Sequence, residues 1–205
     1  MKKLLLIPFI TVICAFTFQK TDIQPIAIGT VLPAPELKIY DVTGDKEIAL
    51  KEIKKENGLL VMFSCNTCPF VVANEGRIRQ VMAQAQRMQI GMVIVNSNEG
   101  QRDADDSKAS MKEYAGKQKF SVPYALDNGT ALADAFGATR TPESFLFDKN
   151  DKLVYRGAID DSPRAEKNVK TRYLLDAMTA MSKNKEITTK TTVSAGCTIK
   201  RPKSE

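Results

Sequence analysis

The sequence predicts an α/β fold: a central mixed β-sheet with helices on both faces, an N-terminal β-hairpin extension and a C-terminal tail. Two continuous apolar runs, 59–63 and 91–96, have the composition of central strands that are buried on both faces. The segment between them carries apolar residues at helical spacing, namely Ile78, Val81, Met82, Ala85 and Met88. Strands therefore alternate with helices, and segments 143–148 and 153–156 predict a closing hairpin before the last helix.

The remaining elements follow from local patterns. Residues 37–41 alternate apolar and polar side chains and 47–50 follow a turn, so this pair predicts the N-terminal hairpin. A short strand is expected at 122–126 and a helix at 130–136, which Gly137 closes. The last helix is expected to carry Val169, Tyr173, Leu174, Ala177, Met178 and Met181.

A polar loop, 97–106, follows the second central strand. Its last residues, Asp105 and Asp106, belong to the types that cap helix N-termini. Either carboxylate is therefore expected to cap the helix that carries Met111 and Tyr114.

Composition excludes several classes of site. The chain has 205 residues, four Cys and no His, so His-dependent catalytic triads and His-ligated metals are excluded. Its length suits one domain, which we set at 20–182, followed by a basic tail at 183–205. The net charge of +6 resides in the N-terminal leader and in this tail, so no nucleic-acid partner is expected.

The leader, 1–19, begins with Lys2 and Lys3 and continues as an apolar run to Phe18. This pattern predicts a signal peptide, with an uncleaved N-terminal membrane anchor as the alternative. Either one places the protein outside the cytoplasm, in the periplasm or another extracytoplasmic compartment. Cys14 belongs to the leader, which leaves three cysteines for the exported domain.

Cys65 and Cys68 form a Cys-x-x-Cys pair between a buried strand and the start of a helix. The free amides and the dipole of a helix start stabilise a thiolate, so this placement favours redox use. Cys65 is expected to be the exposed nucleophile, and Cys68, deeper in the helix, the residue that resolves a mixed disulfide. A static disulfide and a Cu(I)-binding or interaction module are the alternatives of another class.

Four motifs in order make the chain resemble bacterial thioredoxin-fold redoxins of the AhpC/TSA and TlpA-like branch. They are Cys65-Asn-Thr-Cys-Pro-Phe-Val71, Thr141-Pro-Glu143, Tyr155-Arg-Gly-Ala-Ile-Asp-Asp161 and Gly196-Cys-Thr-Ile-Lys200. The resemblance covers about residues 28–201. It implies a thioredoxin-like fold and a thiol–disulfide oxidoreductase that acts through the Cys65–Cys68 pair.

The resemblance also implies that Thr141–Pro142 is a cis peptide bond beside the Cys pair, where the backbone holds an extended substrate strand. Thr67 stands where the family commonly has His between the cysteines. Because a cationic neighbour makes a disulfide more oxidising, Thr67 predicts a milder reduction potential.

A peroxidase is the main enzymatic alternative, because the redoxin branch includes peroxiredoxins. Their Pro-x-x-x-Thr-x-x-Cys motif would put Cys68 at the peroxidatic position, Cys65 at the Thr position and Val61 at the Pro position. The hydroxyl that positions peroxide is then missing, although Arg140 could supply a cation. Disulfide exchange is therefore favoured.

Two further residues are candidates near the Cys pair. Cys197, the odd cysteine in the tail, could form a transient disulfide with Cys65 and relay electrons, or be an incidental thiol. Glu143 could manage the proton of the resolving Cys68 thiol, or lie exposed at the edge of the hairpin. The expected partners are a disulfide-containing protein or small molecule and a thiol electron donor, and no cofactor or metal is expected.

Overall fold

A computed structural model describes residues 23–202, so the predicted leader at 1–19 lies outside the described residues. The strands are β1 (Ile39–Asp41), β2 (Lys46–Ile48), β3 (Leu59–Ser64), β4 (Gly91–Asn96), β5 (Tyr124–Leu126), β6 (Arg140–Thr141), β7 (Glu143–Phe147), β8 (Leu153–Gly157) and β9 (Cys197–Thr198). The helices are α1 (Leu50–Ile53), α2 (Pro69–Val72), α3 (Glu75–Arg87), α4 (Lys108–Lys117), α5 (Ala131–Phe136) and α6 (Tyr173–Ser182).

Within these residues, seven strands form one sheet in the order β2-β1-β5-β4-β3-β7-β8. The central strand β3 pairs in parallel with β4 and antiparallel with β7, and β4 pairs in parallel with β5. The β1–β2 hairpin extends one edge through an antiparallel pairing of β1 with β5. The mixed sheet with its N-terminal hairpin is therefore confirmed.

Both faces of the sheet are covered, as the apolar runs predict. From β3, Leu60 and Met62 point to a first cluster, which the helices α3, α4 and α6 cover. Leu59, Val61 and Phe63 point to a second cluster on the opposite face, which α1 and α5 cover. Side chains alternate along a strand, so a continuous apolar run fills two cores at once.

The last helix differs from the prediction at its N-terminus. α6 begins at Tyr173, and Val169 lies before it, at the end of a 3-10 turn over Glu166–Asn168. The Asp161 carboxylate accepts the backbone N–H groups of Lys170 and Thr171, which holds this segment in a loop. Apolar spacing alone does not reveal such a side-chain contact.

Residues 190–201, here called the strap, run across the domain after α6. Beside β8, the N–H of Arg156 bonds the carbonyl of Lys190, and the N–H of Thr192 bonds the carbonyl of Arg156. The strap then forms β9, which pairs antiparallel with β6. Beyond β9, Ile199 is buried in the second cluster, and Arg201 forms an ion pair with Asp134. The strap thus contacts the domain beside β8, at β6 and beyond β9.

Between residues 23 and 202, no helix combines the length and apolar character that crossing a membrane requires.

Candidate functional site

The Cys pair lies at the carboxyl end of β3. Cys65 follows the strand directly, and Cys68 is the N-cap of the four-residue helix α2, with Pro69 at its first position. Proline suits that position because no helical hydrogen bond needs its missing N–H. The chain bends at Ala73 and Asn74 before α3 begins, so the pair has a short helix of its own.

Cys197 is bonded to Cys68, across a sequence separation of 129 residues and a Cα–Cα distance of 6.0 Å. Cys65 is the free cysteine of the described residues. The partner in the structure is thus Cys68, whereas the sequence left a transient disulfide with Cys65 and an incidental thiol as the alternatives. The difference arises from the register of β9, which places Cys197 opposite Thr141 and beside Cys68.

Thr141 contacts both cysteines of the pair. Its hydroxyl lies 3.3 Å from the Cys65 sulfur, and its carbonyl oxygen lies 3.3 Å from the Cys68 sulfur. The Thr141–Pro142 peptide bond is cis, so that expectation is confirmed. The three sulfur atoms thus lie around one residue, the one that precedes Pro142.

Gly196 allows the strap to reach this position. A Cβ on Gly196 would lie 2.2 Å from the carbonyl oxygen of Thr141, far inside van der Waals contact. A side chain at 196 would therefore push β9 away from β6 and Cys197 away from Cys68. Close approach to Thr141 thus explains why glycine stands at the first position of the Gly-Cys-x-Ile-Lys motif.

Cys65 is buried, with 2% of its surface exposed, although the sequence predicts an exposed nucleophile. It belongs to the first apolar cluster, against which Cys197 of the docked strap also packs. Burial raises the pKa of the Cys65 thiol above its ordinary value, because a thiolate is disfavoured away from water. The Thr141 hydroxyl is the largest influence that opposes this rise.

Two smaller effects act on the same thiol. The charge of Asp106 raises the pKa of Cys65 further, whereas hydrogen bonds from the backbone N–H groups of Cys68 and Thr67 lower it. Those amides are the ones that the sequence predicts to stabilise a thiolate. With the strap docked, they do not outweigh burial.

Glu143 is buried at the start of β7 and is not an exposed hairpin residue. Its Oε2 accepts the backbone N–H groups of Thr139 (2.8 Å) and Arg140 (3.0 Å). Burial raises the pKa of this carboxyl group, and these two hydrogen bonds oppose the rise. The carboxylate thus holds the backbone that leads into Thr141 and pairs with β9.

A buried polar network behind Cys65 was missed by sequence reasoning. Ser107, and neither of the two preceding aspartates, caps α4 by accepting the N–H of Ser110. Asp106 instead turns inward and accepts the backbone N–H of Asn66, at 2.9 Å. The one sequence signal is the polar stretch 96–98 at the end of a buried strand, whose amides also bond Asp106.

The Tyr155–Asp161 motif runs from the end of β8 into the loop beside Pro142. Asp160 and Arg77 of α3 form a buried ion pair at 2.7 Å, and Arg77 also donates to the carbonyl of Ser162. The Tyr155 hydroxyl contacts the hydroxyl of Thr192 in the strap, at 2.9 Å. The motif therefore joins α3, the loop and the strap.

Across residues 23–202, no group of three or more Cys, Asp or Glu side chains is arranged to hold a metal ion.

A seven-stranded mixed sheet with a Cys-x-x-Cys pair at the end of its central strand, facing a cis-proline, defines a thioredoxin-like protein. The solved structure of a thioredoxin-like protein in the oxidised form superposes on this chain with a TM-score of 0.59 and is 22% identical to it in sequence. The match covers 76% of this chain and 98% of that one. The sequence model of the Redoxin family matches residues 32–173. The chain belongs to the Redoxin family.

Two further comparisons describe its relatives. An uncharacterized conserved protein from Geobacillus kaustophilus has a TM-score of 0.80 and 28% identity, and the match covers 87% of this chain and 94% of that one. The thiol-disulfide oxidoreductase ResA of Bacillus cereus is 24% identical over 121 residues, which are 59% of this chain. The match spans 65% of the length of that relative.

Replacing Glu143 by Gln should change how stability depends on pH. Because burial raises the pKa of Glu143, the folded state holds its proton to higher pH than the unfolded state, where the pKa is about 4.3. The free energy of unfolding of the wild type should therefore fall, relative to Glu143→Gln, as pH rises from about 4.3 through the folded-state pKa. Urea unfolding between about pH 4 and pH 7 measures this difference.

Glu113→Gln is the matched control, because Glu113 is exposed and its loss removes the same charge. A stability difference between the wild type and Glu143→Gln that stays constant across this pH range would contradict the buried titration. The amide oxygen of Gln can still accept the N–H groups of Thr139 and Arg140, so the local fold should persist.

Proposed function

We propose that this protein is a thiol–disulfide oxidoreductase in which Cys65 is the attacking thiol and Cys68 and Cys197 exchange disulfides with it. The observation that carries the proposal is the meeting of the three cysteines at Thr141, with Cys65 free and Cys68 bonded to Cys197. Family membership and the similarity to a protein named as a thiol-disulfide oxidoreductase support the same reaction class.

The exchange needs no outside oxidant in its first step. The Cys65 thiolate attacks the Cys68 sulfur, a Cys65–Cys68 bond forms, and Cys197 leaves as a thiolate that takes up a proton. Attack on the other sulfur of the same disulfide gives a Cys65–Cys197 bond and frees Cys68, which is the relay expected from the sequence. Either route moves one disulfide within the chain and leaves the number of electrons unchanged.

Exchange with a substrate starts from the reduced pair. Cys65 attacks a substrate disulfide and forms a mixed disulfide, and Cys68 then attacks Cys65 to release the reduced substrate. A thiol donor returns the two electrons to the pair. Thr141 and Pro142 shape the groove for the substrate, and Glu143 holds the approach to that groove in place.

In the docked strap, β9 pairs with β6 and so occupies the backbone hydrogen-bonding groups of β6. Substrate therefore reaches Cys65 after Cys197 has been released and β9 has separated from β6. The substrates that fit this groove are disulfides of exported proteins or small molecules. The leader pattern at 1–19 supports an extracytoplasmic location, either as a released or as a membrane-anchored protein.

Insulin reduction by dithiothreitol tests the reaction class. We expect the full chain to accelerate it, and Cys65→Ser to return the rate to the uncatalysed background because the attacking sulfur is gone. Cys14→Ser is the matched control, because Cys14 belongs to the leader, and it should keep the wild-type rate. Turnover that survives Cys65→Ser would contradict the proposal, and tight Cu(I) binding without turnover would favour a metal-binding module.

Cys197→Ser tests the relay. Without its partner, Cys68 should pair with Cys65 in protein prepared without reductant, so labelling of Cys65 should fall relative to the wild type and a peptide with a Cys65–Cys68 disulfide should appear. Mass spectrometry of iodoacetamide-labelled peptides in the Cys14→Ser background measures both changes. Unchanged labelling together with unchanged insulin turnover would remove Cys197 from the reaction.

A thiol peroxidase is a second candidate, because Cys68 is the cysteine bonded to a distal partner, as a peroxidatic cysteine would be to its resolving thiol. In that reaction peroxide oxidises Cys68 to a sulfenic acid, and Cys197 condenses with it and releases water. Arg140 is exposed and donates to the Thr198 hydroxyl, so it does not supply the expected cation to Cys68. This weakens the second candidate.

Peroxide consumption with dithiothreitol as reductant separates the two candidates. We expect the wild type to consume hydrogen peroxide no faster than Cys68→Ser does, because the hydroxyl that would position peroxide is replaced by Cys65. Consumption that is retained in Cys65→Ser and lost in both Cys68→Ser and Cys197→Ser would instead establish the peroxidase.

A further inference from the structure

Asp106 is a buried carboxylate at the centre of the polar network behind Cys65, with 1% of its surface exposed. Its Oδ1 accepts the backbone N–H of Asn66 at 2.9 Å and the side-chain amide of Asn96 at 2.7 Å. Its Oδ2 accepts the side-chain amide of Asn98 at 2.8 Å. Three neutral donors therefore surround it.

The contacts of the described residues give this carboxylate no cationic partner. Arg102 donates to the backbone carbonyl of Asp106, and its Nε lies 3.5 Å from Glu99. Neutral amides stabilise a carboxylate but leave its charge uncompensated. The network thus places a net negative charge in the region behind the free thiol.

Asp106 is tied to the turn that carries Cys65. The N–H that it binds belongs to Asn66, the next residue in the chain. The Asn66 side chain is fixed as well, because it donates to the carbonyl of Asp105 and accepts from the Tyr124 hydroxyl. The orientation of the Cys65–Asn66 peptide therefore depends on this hydrogen bond.

The same network reaches the strap. Asn98 donates to Asp106 and, through its Oδ1, accepts the backbone N–H of Lys200 at 2.9 Å. The carbonyl of Lys200 accepts the N–H of Gly100 at 2.7 Å. One chain of hydrogen bonds thus runs from the residue after Cys65 to the end of the strap.

We propose that Asp106 is a positioning residue for exchange at Cys65: its carboxylate fixes the Cys65–Asn66 turn, and its charge disfavours the Cys65 thiolate while the strap is docked. This inference rests on the proposed role of Cys65 as the attacking thiol. The consequence is that Cys65 reacts slowly while the strap is docked, both with outside disulfides and in the internal exchange that releases Cys197.

The other titratable groups around Cys65 are two tyrosines and Glu143, whose carboxyl group accepts the backbone N–H groups of Thr139 and Arg140. Burial raises the pKa of Tyr114 and of Tyr124 above their ordinary values, so both hydroxyls are neutral over the pH range in which the Cys65 thiol is measured. The Tyr114 hydroxyl donates to Glu75, so Tyr114 lies between the Glu75 carboxylate and Cys65 in this chain of contacts. The charge of Asp106 raises the pKa of the Cys65 thiol.

The test measures the rate of iodoacetamide alkylation against pH in the full chain with Cys14→Ser, in the state in which Cys68 is bonded to Cys197 and Cys65 is the single free thiol. Adding Asp106→Asn should lower the midpoint by about one pH unit, because a buried like charge is removed. Asp105→Asn is the matched control, since Asp105 is exposed and its charge is screened. It should leave the midpoint unchanged.

Asn98→Ala separates charge from loosening of the turn, because it removes a donor to Asp106 and keeps the carboxylate. Its midpoint should stay at that of the Cys14→Ser parent, whereas a fall equal to that in Asp106→Asn would overturn the proposal. An unchanged midpoint in folded Asp106→Asn would overturn it too. Circular dichroism and cooperative urea unfolding establish which variants are folded.

Asp106→Ser is the second charge-removing variant should Asp106→Asn fail to fold, and it should give the same fall. Failure of both variants to fold would assign Asp106 a purely structural role and overturn the proposal. The midpoint is read without turnover, so a negative result here leaves the insulin assay untouched. If the protein is not an oxidoreductase, the insulin assay shows no turnover, whereas the pH midpoint of Cys65 alkylation can still be measured.

Discussion

The pairing of Thr141 with Cys197 is the constraint on which the rest of the site depends. It is a short main-chain contact between β6 and β9, and Gly196 permits it because a side chain there would strike the Thr141 carbonyl. The hydroxyl and carbonyl of the same threonine contact the Cys65 and Cys68 sulfurs. One residue therefore sets the positions of all three sulfur atoms.

Around this contact, the domain uses buried carboxylates to hold backbone rather than to pair with cations. Glu143 binds the N–H groups of Thr139 and Arg140, and Asp106 binds that of Asn66. Asp127 does the same at the start of α5, and burial raises the pKa of its carboxyl group. Such hydrogen bonds fix a turn with directional geometry, which a cation on a long side chain would not provide.

Arg77 and Asp160 are the exception. Their side chains are almost fully buried, and Arg77 bonds both oxygens of the carboxylate. Removal of either partner would leave a buried charge without compensation, which typically costs about 3–5 kcal/mol. This pair holds the loop beside Pro142 to α3, and Ala195 of the strap lies against the same loop.

The sequence was sufficient for the features that rest on local patterns. The order of strands and helices and the two buried central strands agree with what these patterns predict, and the cis bond before Pro142 agrees with what the family resemblance implies. The partner of Cys197 was not predictable, because it depends on the register of a two-residue strand 129 residues from Cys68. The burial of Cys65 depends on the same docking.

Asp106 shows a different limit of sequence reasoning. An aspartate just before a helix is expected to cap it, but the adjacent Ser107 takes that role and leaves the carboxylate free to turn inward. Its partners lie on β4, on the following loop and beside Cys65, and only the folded sheet brings these segments together.

The anchoring of the strap beyond Cys197 has a kinetic consequence. In the docked strap, Ile199 is buried in the second cluster and Arg201 is paired with Asp134, both on the C-terminal side of Cys197. When the Cys68–Cys197 bond opens, Cys197 is thus tethered two residues from a buried anchor. Short tethers give an effective concentration of about millimolar or more. A soluble thiol must compete with that internal concentration, so the strap favours reclosure whenever no substrate occupies the groove.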